Sequence, residues 1–310
     1  MEKIPLIAVV GPTASGKTRL GIELAKAFGG EIISADSMQI YKGISIASAA
    51  PTKEEMQGVP YHLIEFLDRD DAFSVADYVN LAHKTIREVY SRNKLPILVG
   101  GTGLYVNSLT EGIEFVESDT DEELRKKLQK EMDEKGSEAM LEKLREIDPD
   151  TAAALHPNNR RRIIRALEIY YSTGITFSRQ NELSRKNDTP YNTTFIGITY
   201  RDREKLYERI NKRVDIMLEN GLLSEAETTL NEPAGKGAAQ AIGHKELHKY
   251  LRGEASLTEA VETLKRETRR YAKRQLTWFR RNENINWLYA DYEDVYARAK
   301  EIVKGGISRE

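Results

Sequence analysis

The sequence predicts an α/β fold in which helices cover both faces of a parallel sheet, with an all-helical insertion domain. Short apolar runs are continuous rather than alternating, as in strands that are buried on both faces. Helical patterns separate these runs, which favours parallel over antiparallel pairing. One long stretch without a strand signal, rich in Glu, Lys and Leu, interrupts the series. We expect this stretch to form the insertion.

The predicted elements follow one another along the chain. Strands are predicted at 4–10, 31–34, 61–67, 95–99, 195–200 and 285–288. Helices are predicted at 19–28, 74–93, 160–172, 202–220 and 257–281, with two or more helices within 119–150. The helix at 74–93 opens with Ser74 and Asp77 at capping spacing, and Gly174 stops the helix at 160–172. The predicted core is therefore 1–113 with 192–310, and the predicted insertion is 114–191.

Composition sets limits on function. The chain has 310 residues, a net charge of −2 and no cysteine. Nucleic-acid binding would therefore depend on local basic patches, and disulfides and cysteine-ligated zinc are excluded. The N-terminus does not resemble a signal peptide, and no apolar run has the length of a membrane span. We expect a cytoplasmic protein without membrane contact and, since no long heptad pattern is present, a monomer.

The octapeptide GPTASGKT lies between the first predicted strand and the first predicted helix, which is the context of a P-loop. Its backbone N–H groups would form a cradle for phosphate oxygens, and the helix N-terminus would add partial positive charge. Lys17 would neutralise a diphosphate or triphosphate, and the Thr18 hydroxyl would bind Mg²⁺. The predicted phosphate-binding residues are Gly11, Pro12, Thr13, Ala14, Ser15, Gly16, Lys17 and Thr18. The core is thus predicted to be P-loop NTPase-like, and the loop alone is typical of ATP-binding enzymes.

Two further segments follow predicted strands. Asp36 should lie near the P-loop, because the carboxyl ends of parallel strands face the ligand crevice. It would contact Mg²⁺, act as a general base, or merely cap a turn. The sequence VGGTGLY at 99–105 places three glycines around Thr102, where the backbone can approach a ligand closely. This strand ends in glycine rather than aspartate, and the match of 63–67 followed by Asp68 to a second Mg²⁺ motif is loose. A kinase or ATPase is therefore disfavoured.

Basic residues cluster at 160–165 and at 265–281, the latter interleaved with aromatic residues. Phosphate-backbone contact is favoured for both clusters, with a solvated helix face as the alternative. The aromatic residues are equally consistent with core packing. His244 and His248 have i,i+4 spacing, but the glutamate is misplaced for a zincin and Lys245 lies between them, so a zinc site is not expected.

Taken together, several segments resemble the tRNA dimethylallyltransferases, also called isopentenyl transferases, over nearly the whole chain. The resemblance rests on GPTASGKT at 11–18, DSMQIY at 36–41, FSVADY at 73–78, VGGTGLY at 99–105, HPNNRRRIIRALE at 156–168, QAIGHKE at 240–246 and AKRQLTWFR at 272–280. The chain departs from the family at His244-Lys245, where Tyr-Arg is common. It lacks the C-terminal zinc finger of some eukaryotic members, which indicates the bacterial type.

The resemblance implies transfer of a dimethylallyl group from dimethylallyl diphosphate to the exocyclic N6 amine of the adenosine 3′ of the anticodon in tRNA. The P-loop would then hold the diphosphate leaving group, with Mg²⁺ on Thr18 and Arg213 as a further contact. Asp36 would be the general base. Thr102, with Ser37, Met38 and Gln39, would hold the adenosine, which must leave the anticodon stack.

By the same resemblance, further residues would contact the anticodon stem-loop, which the insertion would grip from outside the core. They are Arg125, Arg161, Arg162, Arg165, Gln240, Gly243, His244, Lys245, Lys273, Arg274, Gln275, Trp278 and Arg280. Two alternative functions remain open. One is a nucleoside or nucleotide kinase with a helical lid, and the other is a P-loop RNA-binding switch without catalysis.

Overall fold

The computed structural model describes residues 3–113, 122–184, 188–230, 235, 237–238 and 241–307. The chain divides into two compact units. The first comprises Met1–Thr110 with Thr189–Glu310, and the second comprises Glu111–Asp188. The expected bounds of the insertion are 114 and 191, and both lie slightly later than those of the second unit. The later bound differs because Tyr191 opens a strand of the first unit.

Six parallel strands form one sheet in the first unit. They are β1 (Ile4–Val10), β2 (Gly30–Ser34), β3 (Tyr61–His62), β4 (Leu95–Gly100), β5 (Tyr191–Thr199) and β6 (Ile285–Tyr289). Their order across the sheet is β3-β2-β4-β1-β5-β6, and every neighbouring pair is parallel. The predicted parallel α/β architecture is confirmed.

Fourteen helices lie in the described ranges. They are α1 (Lys17–Phe28), α2 (Ser45–Ser48), α3 (Lys53–Met56), α4 (Val75–Ser91), α5 (Gly103–Thr110), α6 (Glu122–Ile147), α7 (Pro149–Ala153), α8 (Arg160–Thr173), α9 (Phe177–Ser184), α10 (Arg203–Glu219), α11 (Leu222–Leu230), α12 (His244–Leu251), α13 (Leu257–Phe279) and α14 (Val295–Ile307). None of these helices has both the length and the apolar character that crossing a membrane would require.

The core lies on both faces of the central strands. Ile7, Val9 and Ile97 pack with residues of α1 and α14 in one cluster. Successive residues of a strand point to opposite faces, so Leu6 and Ala8 point to the face of the sheet opposite Ile7 and Val9. These residues are also fully buried, and α4 packs on β2 and β4. Burial on both faces explains why the strands read as continuous apolar runs.

The local signals for helix ends are confirmed. The Ser74 hydroxyl accepts from Asp77 N at 3.2 Å, and Asp77 Oδ2 accepts from Ser74 N at 2.8 Å, which forms the capping box expected before α4. Gly174 follows α8 in the left-handed conformation at φ 71°.

The strand predicted at 61–67 is wrong beyond His62. Leu63 and Glu65 have φ values of 58° and 47°, which a continuous strand does not allow. The backbone N–H groups of Glu65 and Phe66 donate instead to the carbonyls of Gln39 and Ile40. This segment therefore supports the loop that follows β2.

The second unit is helical, as predicted. Its helix α6 is broken at Gly136, where φ is 84° and ψ is 166°. One apolar cluster joins α6, α7 and α8, with Met132, Leu144 and Ile163 among its buried members. Asp148 caps the N-terminus of α7 and accepts hydrogen bonds from Thr151 N at 3.1 Å and Ser178 N at 2.9 Å. This unit has its own core.

Candidate functional site

The P-loop connects β1 to α1 with two glycines in backbone conformations that other residues rarely adopt. Gly11 has φ 142°, and a Cβ there would lie 2.3 Å from the Ile198 carbonyl oxygen; Gly16 has φ 102°. Within the described residues, no side chain caps the N-terminus of α1, and its first turn holds no acidic residue. Its N–H groups and positive dipole end are therefore open to an anion.

Neighbouring side chains hold the loop in place. Thr13 N donates to Gln275 Oε1 at 2.8 Å, and Arg209 Nε donates to the Ala14 carbonyl at 3.1 Å. Ala14 packs with residues of α10 and α13. Among the described residues, the buried hydroxyl of Ser15 has no hydrogen-bond partner. In a phosphate loop, a buried hydroxyl of this kind could donate to a phosphate oxygen.

A cavity of about 330 Å³ lies beside the loop. Its polar part contains Lys17, Thr18, Asp36 and Arg213, so the structure brings these four predicted site residues together. Thr13, Ser37, Met38, Gln39, Lys245, Arg274 and Gln275 also line it. A second cavity of about 870 Å³ shares Lys17, Thr18 and Arg213 and adds Arg209 and Lys212. Both cavities thus present several cations beside the P-loop.

The ammonium group of Lys17 lies in an unusual environment. Its Nζ donates to the Pro12 carbonyl at 2.7 Å. Burial and the adjacent Arg213 guanidinium lower the pKa of Lys17 to about 7, although the Asp36 carboxylate opposes this shift. Burial likewise lowers the pKa of Arg213. A bound anion would relieve the repulsion between these two cations.

Asp36 and Thr102 lie at the carboxyl ends of β2 and β4. Asp36 Oδ1 accepts from Met38 N at 2.9 Å, which shapes the turn after β2. Thr102 Oγ1 accepts from Ser37 N at 2.9 Å. The turn after β2 and the loop after β4 are thus joined, and the Asp36 carboxylate is held at the cavity wall.

The other part of the cavity is apolar. Ala47, Val214, Met217, Ile242 and Leu264 line it and also pack together in one hydrophobic cluster. The same cavity is therefore lined by several cations and by a cluster of aliphatic side chains. This distribution suits an amphipathic ligand with an anionic head and a short hydrocarbon tail.

Two glycines of VGGTGLY lie where other segments of the protein come very close. A Cβ on Gly100 would lie 2.1 Å from the Ala35 carbonyl oxygen, and one on Gly103 would lie 2.2 Å from the Trp278 ring. These glycines allow protein segments to approach one another. Gly100 also lines the cavity, so the close approach of this backbone to a ligand stays a prediction.

Three predicted RNA- or adenosine-contacting side chains have partners inside the protein. Gln39 accepts from Ser34 Oγ at 2.9 Å, and Gln275 Nε2 donates to the Gly101 carbonyl at 3.0 Å. His244 is 6% exposed. Gln39 and Gln275 also line the cavity, so the expected contacts of these three residues with substrate stay predictions.

The remaining predicted RNA contacts are distributed over both units. Lys273 and Arg280 are exposed on α13 and directly after it, whereas Arg125, Arg161 and Arg162 are exposed in the second unit. Arg165 pairs with Glu168 at 3.1 Å, and Trp278 Nε1 donates to Asn107 at 3.3 Å. Gly243 immediately precedes α12 with φ 117°, and Gln240 lies outside the described residues.

Sequence reasoning missed several residues near the cavity. Tyr61, Thr268 and Tyr271 line it, and burial raises the pKa of both tyrosines. The sequence places Tyr61 only in a strand, and it leaves Tyr271 open between core packing and RNA contact. Of these residues, only Tyr271 could have been identified from the sequence as a cavity residue, because it lies one helical turn before the predicted site residues Arg274 and Gln275. Neither Tyr61 nor Arg209 belongs to a motif that could have identified it.

Comparison with known proteins shows the family of this chain. Residues 39–282 match the model of the IPP transferase family. The chain is 54% identical to a tRNA dimethylallyltransferase of Acetivibrio thermocellus over 93% of each chain. Among solved structures, it resembles the tRNA isopentenylpyrophosphate transferase of Bacillus halodurans (TM-score 0.72, 44% identity, 99% of each chain). It also resembles a eukaryotic dimethylallyltransferase described as acting on tRNA (TM-score 0.82, 30% identity, 99% of this chain and 80% of the other). This chain belongs to the IPP transferase family.

Proposed function

We propose that the protein transfers a dimethylallyl group from dimethylallyl diphosphate to the exocyclic N6 amine of the adenosine 3′ of the anticodon in tRNA, with release of diphosphate. The observation that carries this proposal is the cavity that joins cations, a carboxylate and an apolar pocket. Relatives named for this transfer, one of them 54% identical, give it independent support.

The cationic part of the cavity is proposed to bind the diphosphate of the donor. The P-loop amides, Lys17 and Arg213 would stabilise the negative charge that develops on the diphosphate as the allylic C–O bond breaks. Each such preorganised donor is typically worth about 10²–10³ in rate. The apolar part, which includes Met217 and Leu264, would hold the five-carbon tail.

Mg²⁺ is proposed to bind at the Thr18 hydroxyl. Among the described residues there is no group of three or more His, Cys, Asp or Glu that could hold a metal. The residues around Thr18 therefore suit an ion that takes few protein ligands and completes its coordination shell with phosphate oxygens and water, as Mg²⁺ commonly does. When bound, Mg²⁺ would supply further charge stabilisation to the leaving diphosphate.

The acceptor amine must lose a proton as it forms the new C–N bond. We propose that Asp36 accepts this proton, with the Thr102 and Ser37 turn holding the adenosine. The balance is complete: the C–O bond to diphosphate breaks, the N6–C bond forms, and the N6 proton passes to Asp36. General-base catalysis of this kind typically contributes about 10²–10⁴-fold.

The RNA partner is proposed to be the anticodon stem-loop. Exposed arginines and lysines on α8 and α13 would contact its phosphates, and the adenosine would leave the stack to enter the cavity. We further propose that the protein acts as a monomer in the cytoplasm. The absence of long heptads in the sequence supports the first point, and the bacterial relatives and a tRNA substrate support the second.

The test separates this proposal from a nucleotide kinase with a helical lid, which family membership disfavours. Purified protein is incubated with unmodified tRNA and either ¹⁴C-labelled dimethylallyl diphosphate or γ-³²P-labelled ATP. We expect label to enter tRNA from the prenyl donor, and nuclease digestion should recover it on one adenosine. Label passing from ATP to a nucleoside or nucleotide, without prenylation, would overturn the proposal.

A further inference from the structure

A buried carboxylate–imidazole pair lies outside the cavity. Glu225 on α11 and His244 at the start of α12 approach to 2.9 Å between Oε1 and Nε2, with side-chain exposures of 10% and 7%. The other ring nitrogen of His244 lies 3.3 Å from Thr229 Oγ1. The pair is therefore fixed on both sides, although neither residue lines the cavity.

The Glu225 carboxylate also accepts two backbone hydrogen bonds. Ile46 N donates to Oε2 at 2.8 Å, and Ala47 N donates to Oε1 at 2.9 Å. Both N–H groups belong to the first turn of α2, where no intrahelical partner exists. A carboxylate in this position makes charge-assisted bonds, which are the stronger class. Glu225 thus fixes the beginning of α2 from a distant part of the chain.

The short helix α2 and the residue after it form one wall of the cavity. Ala47, Ser48 and Ala49 all line it. At the far end of this wall, Gln39 Nε2 donates to the Ala49 carbonyl at 3.2 Å. Ala49 has φ 49°, a conformation that persists in a non-glycine residue only where surrounding contacts impose it. The wall is therefore held from both ends, by Glu225 and by Gln39.

The position of this wall bears on the apolar part of the cavity. Ala47 packs in the same hydrophobic cluster as Met217, Ile242 and Leu264, and all four line the cavity. A displacement of α2 would move Ala47 relative to these side chains. The space available to a hydrocarbon tail would change as a result.

We propose that Glu225 and His244 are positioning residues, which fix α2 as the wall of the apolar pocket and thereby set the fit and the tail length of the prenyl donor. This inference rests on the proposed function. It gives His244 a role within the protein, in place of the RNA contact expected from the sequence.

Glu225→Gln is the principal test. The amide retains one oxygen acceptor, but its NH₂ group faces the second backbone N–H and loses that bond. The tail is held alike in the ground state and the transition state, so its looser fit should raise KM for the donor with little change in kcat. We expect KM for dimethylallyl diphosphate to rise roughly tenfold and kcat to change less than about threefold.

Tail length provides the readout that general destabilisation would not move. Each variant is assayed with the five-carbon donor and with geranyl diphosphate, the ten-carbon homologue. We expect the ratio of kcat/KM for the short over the long donor to fall at least about fivefold in Glu225→Gln, since specificity is a difference of affinities. His244→Phe should shift this ratio in the same direction, and His244→Gln, which can still donate to Glu225, should restore it in part.

Two matched controls test whether the change in KM and donor ratio comes from the contact between Glu225 and α2. The first reproduces the loss of charge on α11, and the second changes the neighbouring histidine. Glu227→Gln makes the same chemical change at an exposed position of α11. His248→Phe alters the same histidine cluster, in which His248 contacts Thr229 and Ala226. Both controls should keep the wild-type KM and donor ratio.

The outcomes distinguish this inference from the proposed function. If the wild-type protein transfers no prenyl label, the proposed function fails. If the wild type is active and Glu225→Gln matches Glu227→Gln in KM and donor ratio, the positioning inference is wrong. Should Glu225→Gln fail to fold by circular dichroism, the comparison of His244→Phe with His244→Gln and His248→Phe decides by the same two measurements.

Discussion

Lys17 shows how one residue of the P-loop is prepared for an anion. In the free protein its ammonium is buried beside Arg213, and its pKa is lowered to about 7. Its Nζ donates to the Pro12 carbonyl, within the loop itself. A diphosphate would favour the charged form and raise the pKa again. The site should therefore take up protons when it binds its donor.

This proton uptake is measurable. The measurement is made at a pH slightly above the pKa of Lys17 in the free protein and below its higher pKa in the complex. At this pH, binding of the donor without tRNA should cause Lys17 to take up a fraction of a proton. Affinity should correspondingly fall as pH rises from about 7, because the free lysine becomes neutral. Isothermal titration calorimetry in buffers of different ionisation enthalpy measures the uptake.

Lys17→Arg is the matched variant for this experiment. Its guanidinium stays charged in both states, so only the protonation change of the ligand itself should remain. Equal uptake by the wild type and Lys17→Arg would contradict the assignment of the titrating group to Lys17.

Asp36 permits a sharp test of the proposed base. Asp36→Asn keeps the Oδ1 acceptor for Met38 N, so the turn after β2 should persist while the charge is lost. We expect single-turnover prenyl transfer to slow by about 10²–10⁴-fold, with tRNA affinity by filter binding nearly that of the wild type. Asp68→Asn, at an exposed aspartate paired with Lys42, should change neither. A large loss of tRNA binding in Asp36→Asn would show that Asp36 acts in binding tRNA and would contradict its assignment as the general base.

At the scale of elements, α13 serves three purposes along its length. Gln275 fixes the P-loop through Thr13 N, Tyr271 and Arg274 line the cavity, and Lys273 and Arg280 are exposed. The basic, aromatic pattern of 265–281 therefore has no single meaning. Its buried residues support the site, whereas its exposed cations are available to RNA phosphates.

The exposed part of α13 predicts a salt dependence. Lys273→Ala with Arg280→Ala should weaken tRNA binding and make the slope of log K against log salt shallower by about 1.5–2, since each lost phosphate contact removes one released counterion. Arg298→Ala with Lys300→Ala on α14 makes the same change in net charge and should leave the slope unaltered. Binding is measured by filter retention between low and moderate salt. If the slope of the α13 variant is unchanged, Lys273 and Arg280 do not contact RNA phosphates and belong to a solvated helix face.

At the scale of the whole molecule, local signals in the sequence were sufficient for most of the fold. Continuous apolar runs predicted β1, β2 and β4, because burial on both faces selects such runs. The segment 61–67 misled, since its backbone bonds to the loop after β2 rather than continuing in the sheet. The predicted catalytic motifs also lie together at the carboxyl ends of β1, β2 and β4, as the topology of a parallel sheet requires.

The supporting contacts could not be predicted from local patterns. Glu225 is one of many glutamates on amphipathic helices, and its bonds to Ile46 and Ala47 span 179 and 178 positions of chain. Gln275 likewise contacts Thr13 across 262 positions. A single sequence carries no signal for such pairs, because neither partner belongs to a short motif that includes the other. Long-range hydrogen bonds were therefore the part of the site that only the structure revealed.

The division into two units leads to a prediction about the whole protein. Exposed arginines of α8, Arg161 and Arg162, belong to one unit, and Lys273 and Arg280 belong to the other. Since the two pairs lie on helices of separate compact units, their contributions to tRNA affinity should add, with a coupling free energy below about 0.5 kcal/mol in a double-mutant cycle. The four-residue variant should show a salt slope shallower by the sum of the two changes. All variants should retain wild-type donor affinity measured without tRNA, because none of the four residues lines the cavity. If the α8 pair leaves both affinity and slope unchanged, the helical unit does not bind tRNA through these two arginines.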